Sequence, residues 1–308
     1  MYIVRHRTLF FWITGLLLVV ALAAIVIWGL PLSIDFTGGS MEQVAYPAGR
    51  PSLSAIEQQV QNASVGPATV RLQGSNQVNI ETGTLTPPEH VALLNALNAS
   101  ASSTATTTAI GATELSFTSV GPALGAQFTS KALWALLAVI LAIMIYIAFV
   151  FRKVSKPVPS WGYGITVVAM LAIDIIVPTG FYAILCHFTG AQVDSLFVVA
   201  LLALLGYCVN DVIVIFDRVR EHLKNNEKMN IKEPFEDTIG KSIDETMTRS
   251  INTGLTVVLA LLALIILGAP STQNFAIVIL VGVAAGTFSS IARSAPLLIP
   301  LAHWIGKE

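Results

Sequence analysis

Charged side chains are scarce in this 308-residue chain, at 11% of its residues, whereas a typical soluble domain carries about 25%. Hydrophobic residues make up 54% instead. So few charged residues cannot cover the water-exposed surface of a soluble protein of this size. We therefore expect most of the chain to face lipid or other apolar helices. The net charge of -1 excludes a generally basic nucleic-acid-binding protein.

Cysteine is nearly absent as well. Cys186 and Cys208 are the two cysteines of the chain, each within or beside an apolar segment, and neither belongs to a Cys-x-x-Cys or Cys/His pattern. This spacing argues against a disulfide framework and against a cysteine-based metal site. We therefore expect no metal and no cofactor.

Six segments are apolar over roughly the 20 residues that a helix needs to cross a bilayer. Arg5 and Arg7 precede the first, as in a signal peptide, but its apolar run is too long and no small-residue cleavage site occurs before Pro31. We interpret it as a retained helix. The sequence thus predicts a multi-pass α-helical membrane protein with a six-helix transmembrane bundle. The predicted spans are 9–30, 132–151, 162–185, 193–216, 251–267 and 273–298.

Lys and Arg residues predict the orientation of the bundle. With the N-terminus inside, the outer connections carry only Arg50, Arg71 and Lys131. By the positive-inside rule both termini are cytoplasmic, and the expected location is the cytoplasmic (inner) membrane. The cations predicted to lie inside are Arg5, Arg7, Arg152, Lys153, Lys156, Arg218, Arg220, Lys224, Lys228, Lys232, Lys241, Arg249 and Lys307.

Four parts are predicted along the chain. Residues 1–30 form the cytoplasmic N-terminus and first span, and 31–130 form an extracytoplasmic α+β domain. The five other spans occupy 131–301, and 302–308 is a cytoplasmic tail. Within the third part, 217–250 alternates charged and apolar residues, which predicts a cytoplasmic amphipathic loop of short helices on the membrane surface.

The extracytoplasmic segment has the pattern of a small ferredoxin-like domain, because its elements follow in the order β-α-β-β-α-β. The polar stretch 100–108 is predicted to be a mobile loop. The carboxylates are scattered, with no acid/base or nucleophilic arrangement, so we expect no catalytic residue and no enzyme activity. These carboxylates are Glu42, Glu57, Glu81, Glu89 and Glu114.

Two carboxylates are predicted to lie at membrane depth, Asp174 in the third span and Asp211 in the fourth. An ionised side chain there costs several kcal/mol unless it is paired or hydrated, and such residues associate strongly with transport. We interpret Asp211, Arg249 and Asp174 as a proton relay. In it Asp211 binds and releases a proton, and Arg249 biases Asp211 towards its charged form.

Polar residues on the fourth and fifth spans are predicted to support the relay. Asn210 adjoins Asp211, and Arg218 follows seven positions later on the same helical face. A second stripe begins at Arg249 and continues through Thr253. Facing stripes on adjacent helices would hold water in an otherwise dry bundle, as a proton path requires.

Other arrangements of these charges stay open at this point. Asp211 and Arg249 would also fit a static pair that fixes helix packing. Arg293, in the last span, is a competing partner for either Asp174 or Asp211, and it would equally suit a side chain that snorkels to the inner interface.

Glycine marks the two junctions between the outer domain and the membrane. Asp35 with Gly38 and Gly39 suits a fixed turn from helix to strand, because glycine tolerates positive φ. The segment Gly121-Pro122 with Gly125 joins the domain to the second span. Gly and Pro there suit either a hinge or a rigid turn, and we favour a hinge.

The pair Gly282 and Gly286 forms a GxxxG pattern in the last span. This pattern lets two helices approach closely, which favours packing. On a lipid-facing surface it would favour pairing with another six-span subunit.

Several short motifs occur in a fixed order along the chain. They are Asp35-Phe36-Thr37-Gly38-Gly39; Val120-Gly121-Pro122 with Gly125; Asp174; Asn210-Asp211; Phe216-Asp217-Arg218 with Arg220-Glu221; Arg249-Ser250 with Thr253; and Gly286-Thr287-Phe288-Ser289-Ser290. In this order they resemble the SecD/SecF family of bacterial protein-export membrane proteins.

The resemblance implies six spans, a ferredoxin-like outer domain and an accessory role in the Sec translocase. It implies SecD as partner, association with the SecYEG channel and a YajC-like subunit, and use of the proton-motive force to promote export of unfolded polypeptide. The proton-relay carboxylate and arginine of the family match Asp211 and Arg249.

Three other classes of protein are alternatives to this family. A proton-coupled small-molecule exporter of the resistance-nodulation-division type normally has two six-span units and large outer domains in one chain. An intramembrane aspartyl protease would carry Tyr-Asp and Gly-x-Gly-Asp motifs, whereas here the contexts are Ile173-Asp174 and Asn210-Asp211. A non-conducting scaffold would tolerate Asn at both positions. The coupling ion, proton or sodium, stays open.

Overall fold

The computed structural model describes residues 2–47, 49–99, 111–151 and 157–305. The predicted loop 100–108 lies outside these residues, as do the predicted inner cations Arg152, Lys153, Lys156 and Lys307.

The described chain is mostly helical and contains one small sheet. The helices are α1 (Tyr2–Arg5), α2 (Arg7–Trp28), α3 (Ile34–Thr37), α4 (Leu53–Asn62), α5 (Pro87–Ala99), α6 (Pro122–Val150), α7 (Ser160–Thr189), α8 (Ser195–Lys228), α9 (Phe235–Leu267), α10 (Pro270–Ser289) and α11 (Leu298–Ile305). The strands are β1 (Gly39–Ala45), β2 (Ala68–Gln73), β3 (Gln77–Thr82) and β4 (Thr113–Val120).

Among the described residues, six helices are long and apolar enough to cross a membrane, which confirms the predicted number of spans. Five of them are α2, α6, α7, α8 and α9. The sixth, Ser271–Trp304, combines α10, a π-helical turn at Ser290–Ser294, and α11. The chain is therefore a multi-pass membrane protein in which several helices extend beyond the apolar runs that predicted them.

The prediction of short surface helices across 217–250 is wrong. Helix α8 continues to Lys228 and α9 already begins at Phe235, so only a brief connection separates them. The apolar residues of this segment form core between helices, since Val219 and Ile239 are fully buried. Their partners are other helices of the bundle, which the alternating pattern could not distinguish from a membrane surface.

The chain divides into two compact units. One consists of Met1–Pro31, Trp134–Ala191 and Leu196–Glu308; the other consists of Leu32–Leu133 with Gln192–Ser195. The first contains the apolar helices, and the second contains the sheet.

All strand pairs in the sheet are antiparallel, in the order β2-β3-β1-β4. Helices α4 and α5 cover one face of the sheet. The buried core between these layers includes Val44 from β1, Ile56 from α4, Ile80 from β3 and Leu93 from α5. Alternation of apolar and polar residues along the strands gives the sheet one apolar face. The two helices bury that face, which explains the α+β architecture of the unit.

The carboxylates of this unit are not all scattered, contrary to the sequence-based expectation. Glu42 on β1 and Glu114 on β4 both approach His90 on α5. An irregularity between Gln43 and Val44 shifts the register of β4. A strand bulge of this kind changes which face a side chain occupies, and simple alternation does not predict it.

A tight junction lies where α3 turns into β1. The Asp35 carboxylate accepts a hydrogen bond from the backbone N–H of Ser195, 2.9 Å away, at the start of α8. Gly38 and Gly39 have φ of 75° and 135°, which confirms that this turn needs glycine. A Cβ on Gly38 would lie 2.7 Å from Pro122 Cα.

In the structure most of the segment 121–125 is the first turn of a helix, and the hinge predicted there stays a prediction. Helix α6 begins at Pro122, a residue that favours the first helical position. Gly125 lies in the first turn, where an added Cβ would come within 2.8 Å of the Phe36 carbonyl oxygen. Glycine therefore serves close packing at this position.

The GxxxG pattern faces the interior of the helical unit. A Cβ on Gly282 would overlap Leu204 of α8, and one on Gly286 would lie 2.5 Å from Cys208 Sγ. Both glycines are buried. The pattern thus joins α10 to α8 within this chain, and it does not offer a lipid-facing surface for a second subunit.

Candidate functional site: a buried polar cluster

Three charged side chains of the described residues are buried among the apolar helices. Asp174 on α7 is 3% exposed, Asp211 on α8 is 4% exposed, and Arg293 in the π-helical turn is 5% exposed. Burial of this degree at membrane depth requires partners for each charge. The sequence predicted both carboxylates as site residues and left the role of Arg293 open.

Arg293 pairs with Asp174. Its Nη2 lies 3.2 Å from Asp174 Oδ1, and the same nitrogen donates to the Ser289 hydroxyl. This answers the question that the sequence left open, because the guanidinium lies inside the bundle and does not snorkel to the interface. The pair links α7 to the end of α10.

The π-helical turn at Ser290–Ser294 positions this arginine. Pro296 follows shortly after and has no backbone N–H, so it cannot continue a regular helical ladder. The backbone N–H of Leu297 donates to the Arg293 carbonyl over 2.9 Å and resumes the ladder beyond this point. Single π turns inside α-helices occur frequently at functional sites.

Asp211 has a different environment from Asp174. Its Oδ2 accepts a hydrogen bond of 3.1 Å from the Ser290 hydroxyl. Within the described residues it forms no ion pair, and its polar contacts are to neutral groups. The Ser250 hydroxyl approaches it without making a hydrogen bond.

Arg249 influences Asp211 only at longer range. It is exposed on α9, and its charge attracts the Asp211 carboxylate without direct contact. The structure therefore brings Arg249 into the neighbourhood of Asp211 but does not form the pair that the sequence suggested as one alternative.

The three predicted supporting residues lie outside the buried cluster. Arg218 binds Glu221 and Glu245. Asn210 is exposed, and Thr253, which is half-buried, accepts from Thr256 through its carbonyl oxygen.

Facing polar stripes on α8 and α9 are therefore not what builds this site. Its buried charges come from α7, α8 and the π-helical turn after α10, and α9 contributes the nearby Ser250. A prediction from helical periodicity gives the direction in which a side chain projects from its own helix. It does not determine which neighbouring helix that side chain contacts.

Ser289, Ser290, Arg293 and Cys208 belong to the cluster although the predicted relay omitted them. The Cys208 thiol lies beside both carboxylates. A cation in the same apolar bundle as two carboxylates, preceded by two serines and followed by Pro296, was the signal available in the sequence.

Part of the arginine head group has no partner. Nε and Nη1 of Arg293 are buried and make no hydrogen bond within the described residues. Buried donors of this kind are commonly satisfied by an ordered water molecule or by a further acceptor. The cluster thus combines one paired carboxylate, one without a cation in contact, and spare donors between helices.

Comparison with known families gives a match over two thirds of the chain. The family described as "Protein export membrane protein SecD/SecF, C-terminal" matches residues 100–304. A "Protein translocase subunit SecF" from Thermobaculum terrenum is 34% identical over 320 residues, covering 99% of this chain and 94% of the relative. One from Anaerolinea thermophila is also 34% identical, with 96% and 92% covered.

Solved structures give a similar result. The crystal structure of SecDF from Thermus thermophilus, described as a translocon-associated membrane protein, superposes with a TM-score of 0.82 at 27% identity. The match covers 98% of this chain and 39% of that one. A SecDF structure in a super-membrane-facing form gives 0.62 at 28% identity, with 96% and 37% covered. This chain thus spans about two fifths of the length of either solved chain.

Proposed function

Because this chain belongs to the SecD/SecF family of protein-export membrane proteins, we propose that it is an accessory subunit of the Sec protein translocase. The names of relatives that match almost end to end support this role. The solved SecDF chains support SecD as the partner. We further propose the SecYEG channel, a YajC-like subunit and exported unfolded polypeptide as its other contacts.

The proposed topology has both termini in the cytoplasm and residues 31–130 outside the cytoplasmic (inner) membrane. Residues 1–30, 131–301 and 302–308 then form the first span, the remaining spans and the inner tail. We propose that the outer unit is ferredoxin-like. Its element order and its antiparallel sheet order β2-β3-β1-β4 support this assignment.

Proton coupling at Asp211 is the mechanism that we propose for the buried cluster. The observation that carries it is the contrast between the two carboxylates. Asp174 has a guanidinium in contact, so its charge is balanced in place. Asp211 is also buried, but among the described residues it touches neutral groups only, so gain or loss of a proton there changes the local charge most directly.

The Ser290 hydroxyl can serve both protonation states of Asp211. It lies within hydrogen-bond distance of Asp211 Oδ2 and of the Thr287 carbonyl, at 3.1 and 2.9 Å, yet it carries one proton. Ionised Asp211 accepts that proton. Protonated Asp211 donates to Ser290 Oγ instead, and Ser290 then donates to Thr287.

This exchange would couple proton binding to α10. The alternative acceptors of Ser290 lie on α8 and on its own helix, so each protonation state favours a different hydrogen bond at the turn that carries Arg293. Asp174 and Arg293 hold the other side of that turn. Proton flow through Asp211 could thereby drive rearrangement of the bundle, with the charge of Arg249 acting on Asp211 at longer range.

Export in inverted membrane vesicles that contain SecYEG, SecD and this protein tests the proposal. Asp211→Asn keeps size and hydrogen-bonding capacity but removes titration, so the proton-motive-force-dependent part of export should disappear. Asp237→Asn, at the start of α9 and away from the cluster, is the matched control and should retain that part. Full retention in Asp211→Asn at equal abundance would show that Asp211 is structural.

A further inference from the structure

We propose that the sheet-containing unit holds a zinc ion between Glu42, His90 and Glu114. These residues come from three different elements, β1, α5 and β4. Their ligand atoms all lie within 4.8 Å of one another. The inference concerns the outer unit alone and does not depend on proton coupling in the membrane.

The distances suit a tetrahedral ion after small side-chain shifts. His90 Nε2 lies 2.8 Å from Glu42 Oε2 and 3.9 Å from Glu114 Oε1. Ligands about 2.0–2.1 Å from a tetrahedral zinc ion lie about 3.3 Å from each other. The two observed separations bracket that value, and the third pair of ligand atoms lies within 4.8 Å, so small side-chain shifts bring all three to an ion at the centre.

His90 is oriented for this task. Its ring stacks on Phe117 of β4, with centroids 4.0 Å apart and planes tilted by 22°. Stacking fixes the plane of the imidazole, and with it the direction in which Nε2 faces Glu42. A ligand held by its surroundings loses less freedom on binding a metal.

The register shift in β4 is what brings Glu114 to the site. Glu42 pairs with Phe117, and Gln43 pairs with Ser116, but Val44 then pairs with Glu114, so Leu115 is the extra residue. Directly opposed residues of an antiparallel pair share a face. Without the bulge, Leu115 would take this face and Glu114 would point to the other side of the sheet.

Glu42 provides an independent indication of a cation site. Its side chain is 1% exposed, and its Oε1 is buried without a hydrogen-bond partner among the described residues. A carboxylate with a spare buried oxygen, beside a second carboxylate, is an arrangement that a bound cation would satisfy.

The donor set favours zinc over other cations. An imidazole nitrogen with two carboxylate oxygens suits a transition metal, whereas magnesium and calcium prefer oxygen ligands alone. Two carboxylates balance the charge of a divalent ion, and water would complete the fourth position. The sequence analysis expected no metal because the cysteines form no metal-binding pattern. It could not detect this site, which contains no cysteine.

A zinc ion at this position would fasten α5 and β4 to the central strand β1. His90 lies near the start of α5, and Glu114 lies near the start of β4. Metal binding to a site on three elements contributes directly to their folding stability. The expected consequence is a stiffer outer unit when zinc is present.

The test uses the full chain in detergent, purified through a tag without histidine and stripped with a chelator. Zinc is added in competition with a fluorescent zinc indicator. His90→Gln and Glu114→Gln should each weaken binding of one zinc ion by more than about 100-fold, since even outer-shell changes cost 10–100-fold. Glu114 is 40% exposed, so its replacement should leave the fold intact.

His222→Gln is the matched control. His222 also lies beside a glutamate, with Nε2 3.1 Å from Glu245 Oε2, but it belongs to the helical unit and should not alter this site. Hydrogen exchange gives a second measurement, in which zinc should slow exchange in 39–46, 87–99 and 113–120 of the unmodified chain. Equal zinc binding by the unmodified chain, His90→Gln and Glu114→Gln would overturn the proposal, as would unchanged exchange on adding zinc.

Discussion

Arg293 and Asp174 form an ion pair inside the helical unit, with 3.2 Å between Nη2 and Oδ1. Because of this pair, the two buried carboxylates, Asp174 and Asp211, have different electrostatic environments. Asp174 is balanced by a fixed charge on a neighbouring helix, while Asp211 meets the same π-helical turn through a serine hydroxyl. One turn of the last span therefore contacts both carboxylates.

Breaking this pair should destabilise the bundle. Arg293→Met leaves Asp174 buried without its cation, so the free energy of unfolding should fall by about 3–5 kcal/mol. Combining it with Asp174→Leu should recover most of that loss, because no charge is left unpaired. Denaturant unfolding in detergent measures both. Arg249→Met, at an exposed arginine, is the control, and equal stability of Arg293→Met and the unmodified chain would contradict the prediction.

Ser290 should be needed for coupling to the proton-motive force and not for folding. Ser290→Ala removes the hydroxyl that contacts Asp211, so the force-dependent part of export should fall several-fold, whereas Ser290→Thr should retain most of it. Ser242→Ala is a matched control, because Ser242 is also buried and donates within its own helix, to Thr238. Loss of export to the same extent in both alanine variants would count against a specific role.

Packing of α10 on α8 gives a test that is independent of function. Gly286→Ala places a Cβ 2.5 Å from Cys208 Sγ, and overpacking of this kind costs about 1–3 kcal/mol. Cys208→Ala in the same chain should restore part of the stability by removing the sulfur. Gly206→Ala meets nothing within 4 Å and should be neutral or slightly stabilising. Stability would be measured by thermal unfolding in detergent.

Alanine substitutions in the segment 121–125 test whether it is closely packed or a flexible link. Gly125→Ala would bring a Cβ to 2.8 Å from the Phe36 carbonyl oxygen, whereas Gly121→Ala meets nothing within 4 Å. We expect the first to lower the melting temperature of the purified protein and the second to leave it nearly unchanged. Equal tolerance of both would indicate that the segment moves freely enough to accommodate the extra carbon.

Labelling of single cysteines tests the proposed topology. Gln58→Cys lies on the exposed face of α4, and Lys228→Cys lies at the exposed end of α8. An impermeant thiol reagent added to intact cells should modify the first and not the second. The native Cys186 and Cys208 are buried and provide the background signal. Modification of Lys228→Cys from outside would reverse the proposed orientation.

The sequence by itself determined the six membrane helices and the elements of the small α+β unit. Apolar length and residue alternation are local properties, and each helix or strand satisfies its own backbone hydrogen bonds or those of a close neighbour. The same local reasoning identified Asp174 and Asp211, because a carboxylate in a long apolar run is conspicuous without any knowledge of its partner. Gly38 and Gly39 were recognised for the same reason.

Only the tertiary structure decided which of these residues meet. The pairing of Asp174 with Arg293, the contact of Ser290 with Asp211, and the inward direction of Gly282 depend on how helices rotate against each other. The gathering of Glu42 and Glu114 around a histidine depends on one extra residue in a strand. Periodicity assigns a side chain to a face, but the register, a π turn or a bulge determines what that face contacts.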